Sequence, residues 1–319
     1  MCIRDRIICP NLKIYMKIKS EKVGIIIYIL TLLSFASMEA LAKFLSDDFS
    51  VTQIVWARYT FHFLIVLLGV VLVHLLGFNS GLKYPKLILV QALRSVALLL
   101  MTYFFFTSLS ILTLAEATII LFFSPLITVV LSPFLLKEEV NSSCWLAVII
   151  GFIGMIIVID PSNIINFENI DLIWFKGIIY VILGALFYSL YQIGTRVLAP
   201  VEPALTSLIF SCVAGLIGTT ILILLDYDLS PSLQVWKNPG FIEWIWLATV
   251  GLFGAIGQFL ILRAYSKTKA ITLAPVSYTH IIWATFFGYI IFDSLPNLQT
   301  LLGGVLIVSS GVYTYRKIN

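Results

Sequence analysis

Charged side chains are scarce in this sequence. Asp, Glu, Lys and Arg make up 11% of its 319 residues, whereas apolar residues make up 60%. A typical soluble domain has about a quarter charged residues, and a soluble protein of this length could not bury so much apolar surface. The composition therefore excludes an ordinary soluble protein. It predicts an all-α membrane protein, because backbone groups in lipid must be hydrogen-bonded within each span.

The sequence also lacks the residue clusters that carry most enzyme and cofactor chemistry. Its four cysteines, Cys2, Cys9, Cys144 and Cys212, have no metal or redox spacing. It has no His-Glu-x-x-His, Gly-x-Ser-x-Gly or Gly-x-x-x-x-Gly-Lys pattern. Its basic residues are scattered rather than clustered, which argues against a nucleic-acid partner. We therefore expect no enzyme activity, no cofactor, no metal site and no nucleotide-driven pump.

What the sequence has instead is a series of long apolar runs. A bilayer is crossed by a helix of roughly 20 apolar residues. We predict ten transmembrane helices, at 23–43, 52–76, 86–108, 112–136, 144–160, 175–198, 203–225, 243–266, 270–292 and 299–316.

The charges between these runs change sign from one loop to the next. One set of segments carries the cations Lys17, Lys19, Lys22, Lys83, Lys137, Lys267, Lys269, Arg316 and Lys317. The alternate loops carry the acids Asp47, Asp48, Glu168, Asp171, Asp226 and Asp228, together with the cation Lys237. Cytoplasmic loops are enriched in Lys and Arg. We therefore predict that both termini are cytoplasmic and that the protein lies in a bacterial inner membrane.

The two halves of the sequence resemble each other. Residues 24–45 align without gaps on 177–198, which places Glu39 on Gln192 and Lys43 on Arg196. Residues 112–115, Leu-Thr-Leu-Ala, match residues 271–274, Ile-Thr-Leu-Ala. Each half has five spans, an odd number, so the second half must enter the membrane from the opposite side. Inverted repeats of this kind are common in transporters, where the substrate binds near the midplane.

The repeat divides the chain into five parts. We predict a cytoplasmic tail at 1–22, a first repeat at 23–160, a periplasmic linker at 161–174, a second repeat at 175–316 and a cytoplasmic tail at 317–319. Residues 1–15 begin with Met-Cys-Ile-Arg-Asp-Arg, which resembles an adapter-derived prefix, and we expect them not to be native. We expect the natural start at Met16, which opens the basic run Met-Lys-Ile-Lys-Ser-Glu-Lys.

Several short motifs together resemble one transporter family. They are Trp56-Ala-Arg58, Leu114-Ala-Glu116, Ser124-Pro125, Leu136-Lys-Glu138, the segment from Gln258 to Tyr265, Ala274-Pro275-Val-Ser-Tyr278 and Phe292-Asp293. In order and spacing, residues 20–317 are similar to EamA-type permeases of the drug/metabolite transporter superfamily, and closest to the S-adenosylmethionine and riboflavin uptake branch. The resemblance implies a ten-helix carrier of small metabolites with a central cavity and alternating access. Two features depart from the family: Asp293 replaces the usual Glu, and span seven has no cation corresponding to Arg58.

Charged residues inside the spans are candidates for solute binding, because intramembrane charges are costly and usually face a cavity. Glu39 and Arg58 lie at similar depths, and they form either a fixed ion pair or a site for substrate or a coupling ion. His62 and His280 either pack through hydrogen bonds or relay a proton. Arg94 either reaches the membrane surface or binds a carboxylate or phosphate group of the substrate.

Two amides and four tyrosines complete the candidate set: Gln192, Gln258, Tyr103, Tyr188, Tyr191 and Tyr278. Rings and a carboxylate around a cavity would hold a cationic or aromatic ligand. We predict a secondary transporter for an amino acid, an S-adenosylmethionine-like solute or a vitamin-like solute. Its other partners would be the lipid bilayer and either protons or a counter-substrate, and we expect a monomer or weak homodimer. An exporter of the same fold, a channel and a membrane-embedded enzyme are the alternatives.

Overall fold

The computed structural model contains helices and no strands among the residues that it describes, which are 10–77, 81–135, 142–159, 171–198, 200–229, 234–267, 273 and 276–318. In these residues the helices are α1 (Pro10–Leu45), α2 (Val51–Leu75), α3 (Ile88–Leu109), α4 (Leu114–Leu121), α5 (Ser124–Leu135), α6 (Ser142–Ile159), α7 (Leu172–Leu198), α8 (Ala204–Leu224), α9 (Phe241–Lys267), α10 (Thr279–Phe292) and α11 (Leu298–Ile318). Residues 1–9, most of the linker 161–174 and the positions Lys137, Glu138, Glu168, Lys269, Ala274 and Pro275 lie outside the described residues.

Most of these helices are long and apolar enough to cross a membrane. Seven stretches of 21–27 residues qualify within the described chain, in α1, α2, α3, the α4–α5 pair, α7, α8 and α9. Shorter apolar stretches lie in α6, α10 and α11. Large apolar side chains such as Leu68 and Phe134 are exposed on the surface, at 59% and 73%. Extensive exposure of this kind indicates contact with lipid or with another apolar surface.

Local sequence explains where several helices begin and end. The Ser50 hydroxyl accepts a hydrogen bond from the Gln53 backbone N–H at the start of α2. Thr113 and Glu116 form a capping box at the start of α4, in which each side chain binds the other's backbone nitrogen. Asp293 ends α10 in the left-handed conformation, with φ of 49°.

The predicted span 112–136 corresponds to one apolar stretch, Leu114–Leu135, that is long enough to cross a membrane, but its helix is interrupted at the centre. α4 ends at Leu121 and α5 begins at Ser124. Pro125 has no backbone N–H, so the hydrogen bond to the preceding turn cannot form there. The group that loses its partner is the Leu121 carbonyl. At the same break, the Ser124 carbonyl accepts hydrogen bonds from the Ser189 hydroxyl on α7 at 2.7 Å and the Thr128 hydroxyl at 3.0 Å. The break is therefore held by a polar contact with the other half of the chain.

Corresponding helices of the two halves pack against each other in opposite directions. The start of one helix meets the end of its counterpart in three pairs: Trp56 of α2 with Thr220 of α8, Leu114 at the start of α4 with Gly288 near the end of α10, and Gly303 of α11 with Val158 of α6. Contacts between helices that are not counterparts obey the same symmetry. Helix α1 packs on α9, and their counterparts α7 and α3 pack on each other in the same way. The molecule therefore has an approximate twofold symmetry that relates antiparallel halves.

The symmetry is visible in two hydrogen-bonded clasps at opposite ends. We call the region where α1 ends and α2 begins the Asp48 end, and the region where α2 ends and α3 begins the Lys83 end. At the Asp48 end, the Gln53 side-chain amide donates to the Lys237 backbone carbonyl at 2.7 Å and accepts from the Lys237 backbone N–H at 3.0 Å. At the Lys83 end, the Thr206 hydroxyl donates to the Lys83 carbonyl at 2.9 Å and accepts from its N–H at 3.3 Å. Gln53 and Thr206 are each the third residue of their helix, α2 and α8.

Candidate functional site

The first part of the candidate site is an acid and an imidazole that come from different halves. Glu39 Oε2 on α1 lies 3.3 Å from His280 Nε2 on α10, and the two residues are 5% and 7% exposed. His280 is the second residue of α10, so the carboxylate also lies near the positive end of that helix. The Phe122 ring, at the break after α4, lies 6.1 Å from the His280 ring and 5.2 Å from the Tyr278 ring. The structure therefore brings together three predicted residues, Glu39, Tyr278 and His280.

Arg58 is buried nearby but does not pair with Glu39. Its Nη1 donates to the Thr102 hydroxyl on α3 at 2.6 Å, and its Nε lies 3.3 Å from Met38 Sδ. No carboxylate lies within 4.0 Å of Arg58 in the part of the chain that the structure describes. The fixed Glu39–Arg58 ion pair is therefore not formed. Adjacent residues of a helix point in different directions, and on α1 it is Met38 that faces α2 while Glu39 faces α10.

His62 lies one turn from Arg58 on α2 and is 3% exposed. Neither of its ring nitrogens has a hydrogen-bond partner among the described residues. Gly251 of α9 packs against this turn so closely that a Cβ there would lie 3.1 Å from the His62 backbone nitrogen. The hydrogen-bonded packing role considered for His62 is therefore not seen. Its two unpartnered nitrogens remain available to a ligand or a proton.

Arg94 forms a second polar centre between α3, α7 and α8. Its Nε donates to the Thr195 hydroxyl at 2.7 Å, and its Nη1 donates to the Ser207 carbonyl at 3.2 Å and the Ser211 hydroxyl at 3.1 Å. Its Nη2 donates to the Tyr191 hydroxyl at 3.0 Å. The residue is only 6% exposed, so the interpretation that Arg94 reaches the membrane surface is wrong. These acceptors on α7 and α8 hold the guanidinium inside the bundle.

The other predicted residues fall into two groups. Tyr188 stacks on Tyr191 at 6.0 Å, and Gln192 and Gln258 are half-buried on α7 and α9. Tyr103 lies in a separate cluster at the Asp48 end. Its hydroxyl forms hydrogen bonds with the Thr52 hydroxyl at 2.8 Å and with Asp228 Oδ1 at 3.0 Å.

Sequence reasoning missed the small polar residues that hold the two arginines. They are Thr102 beside Arg58, then Thr195, Ser207 and Ser211 around Arg94, with Gln91 bound to the Ser207 hydroxyl. The spacing of these residues in the sequence could have indicated some of them. Gln91 and Arg94 are three residues apart and Ser207 and Ser211 are four apart, so each pair lies on one face of its helix.

The buried charges of this region are not paired as ion pairs. The buried cations are Arg58 and Arg94 and the buried acids are Glu39 and Glu202, but neither acid lies within 4.0 Å of either arginine among the described residues. Buried charges are normally paired or strongly hydrogen-bonded. The arrangement can therefore bind a small ligand that carries an anionic group, with Glu39 available to a cationic group or a proton.

A family model now accounts for the two halves. The EamA-like transporter family model matches residues 22–160 and, separately, residues 175–316. The chain belongs to the EamA-like transporter family. The predicted membership of this family, within the drug/metabolite transporter superfamily, is confirmed. The EamA-like protein is thus a multi-pass membrane protein, and a transporter rather than an enzyme.

This EamA-like protein matches relatives that are named as transporters, and each match covers nearly the whole of both chains. It is 30% identical over 292 residues to an uncharacterized transporter of Helicobacter pylori strain J99, which covers 91% of this chain and 93% of the relative. It is 25% identical to an S-adenosylmethionine uptake transporter of Rickettsia bellii, over 93% of this chain and 94% of the relative. It is 22% identical to a pseudopaline exporter of Pseudomonas aeruginosa, over 90% of this chain and 94% of the relative.

A solved crystal structure has the same fold. It superposes with a TM-score of 0.61 at 18% sequence identity and covers 93% of this chain and 98% of its own. At this identity the likeness concerns the fold alone.

Proposed function

We propose that this protein is a secondary transporter that moves a small organic metabolite across a bacterial inner membrane by alternating access. The observation that carries the proposal is the Glu39–His280 contact, because both residues are buried and each comes from a different half. A movement of one half against the other would separate the two side chains and change what Glu39 can bind. The same movement would open the site first to one side and then to the other.

The proposed topology has ten transmembrane helices in two inverted repeats, 23–160 and 175–316. The antiparallel packing of corresponding helices supports the inversion. Loop charges support the orientation, with acids at the Asp48 end and lysines at the Lys83 end. In this topology the Asp48 end and the linker 161–174 are periplasmic, and the tails 1–22 and 317–319 are cytoplasmic.

The proposed substrate is an amino acid or a related zwitterion such as S-adenosylmethionine, with vitamin-like solutes as a further class. A relative named as an S-adenosylmethionine uptake transporter supports this. S-Adenosylmethionine carries one carboxylate and two cationic groups, so a buried guanidinium and the Glu39 carboxylate would bind opposite parts of it. The proposed substrate path is lined by Glu39, Arg58, His62, Arg94, Tyr188, Tyr191, Gln192, Gln258, Tyr278 and His280, with Tyr103 nearer the periplasm.

Export is a second candidate direction. It is favoured by the relative named as a pseudopaline exporter. Importers and exporters share a two-state cycle and differ in the gradients to which they are coupled. The co-transported species is either a proton or a counter-substrate.

Counterflow in liposomes tests the proposal. Liposomes that contain the purified protein and unlabelled S-adenosylmethionine are diluted into labelled S-adenosylmethionine, and empty liposomes are the control. We expect saturable accumulation of label, with unlabelled amino acids and riboflavin as competitors that define the substrate class. Non-saturating flux would indicate a channel, and chemical conversion of the label would indicate an enzyme. Either result would contradict the proposal, as would no accumulation of any member of this panel.

A further inference from the structure

The Arg94 guanidinium is a buried cation without a counter-ion. A guanidinium has five N–H donors and remains protonated in proteins. Here the Nε and Nη1 donors bind neutral oxygens of Thr195, Ser207 and Ser211, and one Nη2 donor binds the Tyr191 hydroxyl. No carboxylate lies within 4.0 Å of Arg94 among the described residues. One Nη2 donor is therefore left without an acceptor, and the positive charge is offset by neutral oxygens and the Tyr191 ring rather than by an anion.

A second buried donor lies on the same face of α3. Gln91 is fully buried and precedes Arg94 by three residues, which places both on one side of the helix. The Gln91 Oε1 atom accepts a hydrogen bond from the Ser207 hydroxyl at 3.2 Å, and Ser207 also accepts one from Arg94. The Gln91 Nε2 atom has no acceptor among the described residues. Leaving such a donor unpaired is costly, so the Gln91 amide is available to an acceptor on the same helix face as Arg94.

We propose that Gln91, Arg94 and Tyr191 form an anion subsite that binds the carboxylate of the transported solute. A carboxylate offers two oxygens in the plane that a guanidinium fork recognises, and it would also accept from the Gln91 amide. This inference rests on the proposed transport function and deepens it, because it makes a carboxylate a required part of the substrate.

The position of the guanidinium favours a solute over a lipid headgroup. Arg94 lies six residues into α3, about 9 Å along the helix axis. The exposed face of α3 carries Leu89 and Leu93, at 70% and 62% exposure, whereas Arg94 is 6% exposed. The guanidinium lies 4.6 Å from the centre of the half-buried Tyr191 ring, which stacks on Tyr188. Arg94 therefore lies away from the exposed face of α3, against α7 and α8.

The first test supplies the missing carboxylate from the protein itself. Gln91→Glu has nearly the same shape as the native residue and places an acid beside Arg94. We expect its melting temperature in detergent to exceed that of the wild type by about 3 °C. Gln91→Leu, which has neither charge nor donor, is the matched control and should gain less. A Gln91→Glu protein that melts at or below the temperature of Gln91→Leu would overturn the subsite, because the guanidinium would then need no anion.

The second test compares S-adenosylmethionine with its decarboxylated analogue. We expect the wild type to bind the carboxylate-bearing compound about tenfold more tightly, as for one charge-assisted contact, and Gln91→Glu to lose that difference. Equal binding of both compounds by the wild type would overturn the subsite and leave the transport function intact. Stabilisation of Gln91→Glu without binding or transport of either compound would support the anion subsite and overturn the proposed substrate.

A lipid arm separates the two sources of an anionic oxygen. Nanodiscs of phosphatidylcholine alone are compared with nanodiscs that also contain phosphatidylglycerol. We expect the same melting temperature in both. Stabilisation by phosphatidylglycerol that disappears in Gln91→Glu, with no preference for the free carboxylate, would overturn the assignment to a transported solute.

Discussion

At the residue scale, the Glu39 carboxylate has very little compensation for its burial. Its Oε2 atom lies 3.3 Å from the His280 imidazole but has no hydrogen-bond partner in the described chain. A charged carboxylate in an apolar interior is strongly unfavourable unless a cation or a proton accompanies it. Glu39 is therefore suited to bind a cationic group or a proton during the transport cycle. In the second half the aligned residue is Gln192, a neutral amide that cannot take up a proton or supply a negative charge.

Replacing Glu39 with Gln should stop coupled transport while keeping the shape of the side chain. We expect at least about a tenfold fall in uptake driven by a pH gradient, which is the loss from removing one charge-assisted interaction. Uptake of labelled S-adenosylmethionine into proteoliposomes measures this. Glu116→Gln is the control, because Glu116 completes a helix cap at the start of α4. We expect this replacement to lower the stability by about 1 kcal/mol and to leave uptake unchanged. Full uptake by both Glu39→Gln and His280→Gln would contradict the coupling role.

Arg58 depends on one hydroxyl, so Thr102→Val should destabilise the protein. The Thr102 hydroxyl lies 2.6 Å from Arg58 Nη1 and 3.0 Å from the Tyr59 hydroxyl. Removing it leaves a buried guanidinium donor unpaired, and we expect a loss of about 1–3 kcal/mol. Thr107→Val on the same helix is the matched control, because Thr107 is also buried but bonds only its own helix at the Tyr103 carbonyl. Thermal unfolding in detergent that shows equal losses would refute the special role of Thr102.

Depth along a helix could be predicted from the sequence, but the direction of a side chain could not. Glu39 and Arg58 were placed at similar depths because each residue advances a helix by about 1.5 Å. Which neighbour each side chain contacts depends on the rotation of α1 about its own axis. In the observed rotation, Met38 contacts Arg58 and Glu39 contacts His280. The hydroxyl partners of Arg94 come from α7 and α8, between 97 and 117 residues away in the chain. No local pattern predicts such contacts.

At the element scale, apolar runs predicted the helices well, because a bilayer fixes their length and their backbone must be satisfied internally. Two spans differ from the prediction. Pro125 removes a hydrogen bond in the fourth span, which divides into α4 and α5, and the ninth span is predicted from 270 whereas α10 begins at Thr279. The sequence contained the proline, but proline kinks and complete breaks look alike in sequence. The Ser189 hydroxyl on α7 binds the Ser124 carbonyl at this break, and no local pattern predicts a contact between residues 65 positions apart.

The α6–α11 pair gives a direct test of helix packing. A Cβ at Gly303 would lie 2.5 Å from the Gly154 carbonyl oxygen and 2.5 Å from Val158 Cγ2. Gly303→Ala must therefore push the two helices apart, and we expect a loss of about 1–3 kcal/mol in thermal unfolding. Gly69→Ala in α2 is the control, because no atom lies within 4 Å of its added Cβ. That change should be neutral or stabilising by up to about 1 kcal/mol. Equal melting temperatures for the two variants would contradict the close packing.

At the scale of the whole molecule, the two clasps connect the halves at opposite ends. Gln53 of the first half binds the Lys237 backbone of the second, and Thr206 of the second half binds the Lys83 backbone of the first. With both clasps formed, Glu39, Arg58 and Arg94 are all nearly buried. Alternating access requires one end to open while the other stays closed. We therefore expect each clasp to break once in every transport cycle.

Cysteine pairs across the clasps test this movement. In a background without Cys2, Cys9, Cys144 and Cys212, one variant carries Gln53→Cys with Lys237→Cys, and the other carries Lys83→Cys with Thr206→Cys. We expect oxidation of either pair to lower counterflow at least about tenfold, and dithiothreitol to restore it, because a disulfide persists until a thiol exchanges with it. The four single-cysteine variants should keep full counterflow under the same oxidant. Undiminished counterflow with one pair fully cross-linked would mean that this end never opens, and the protein would then not work by the symmetric exchange that its two halves suggest.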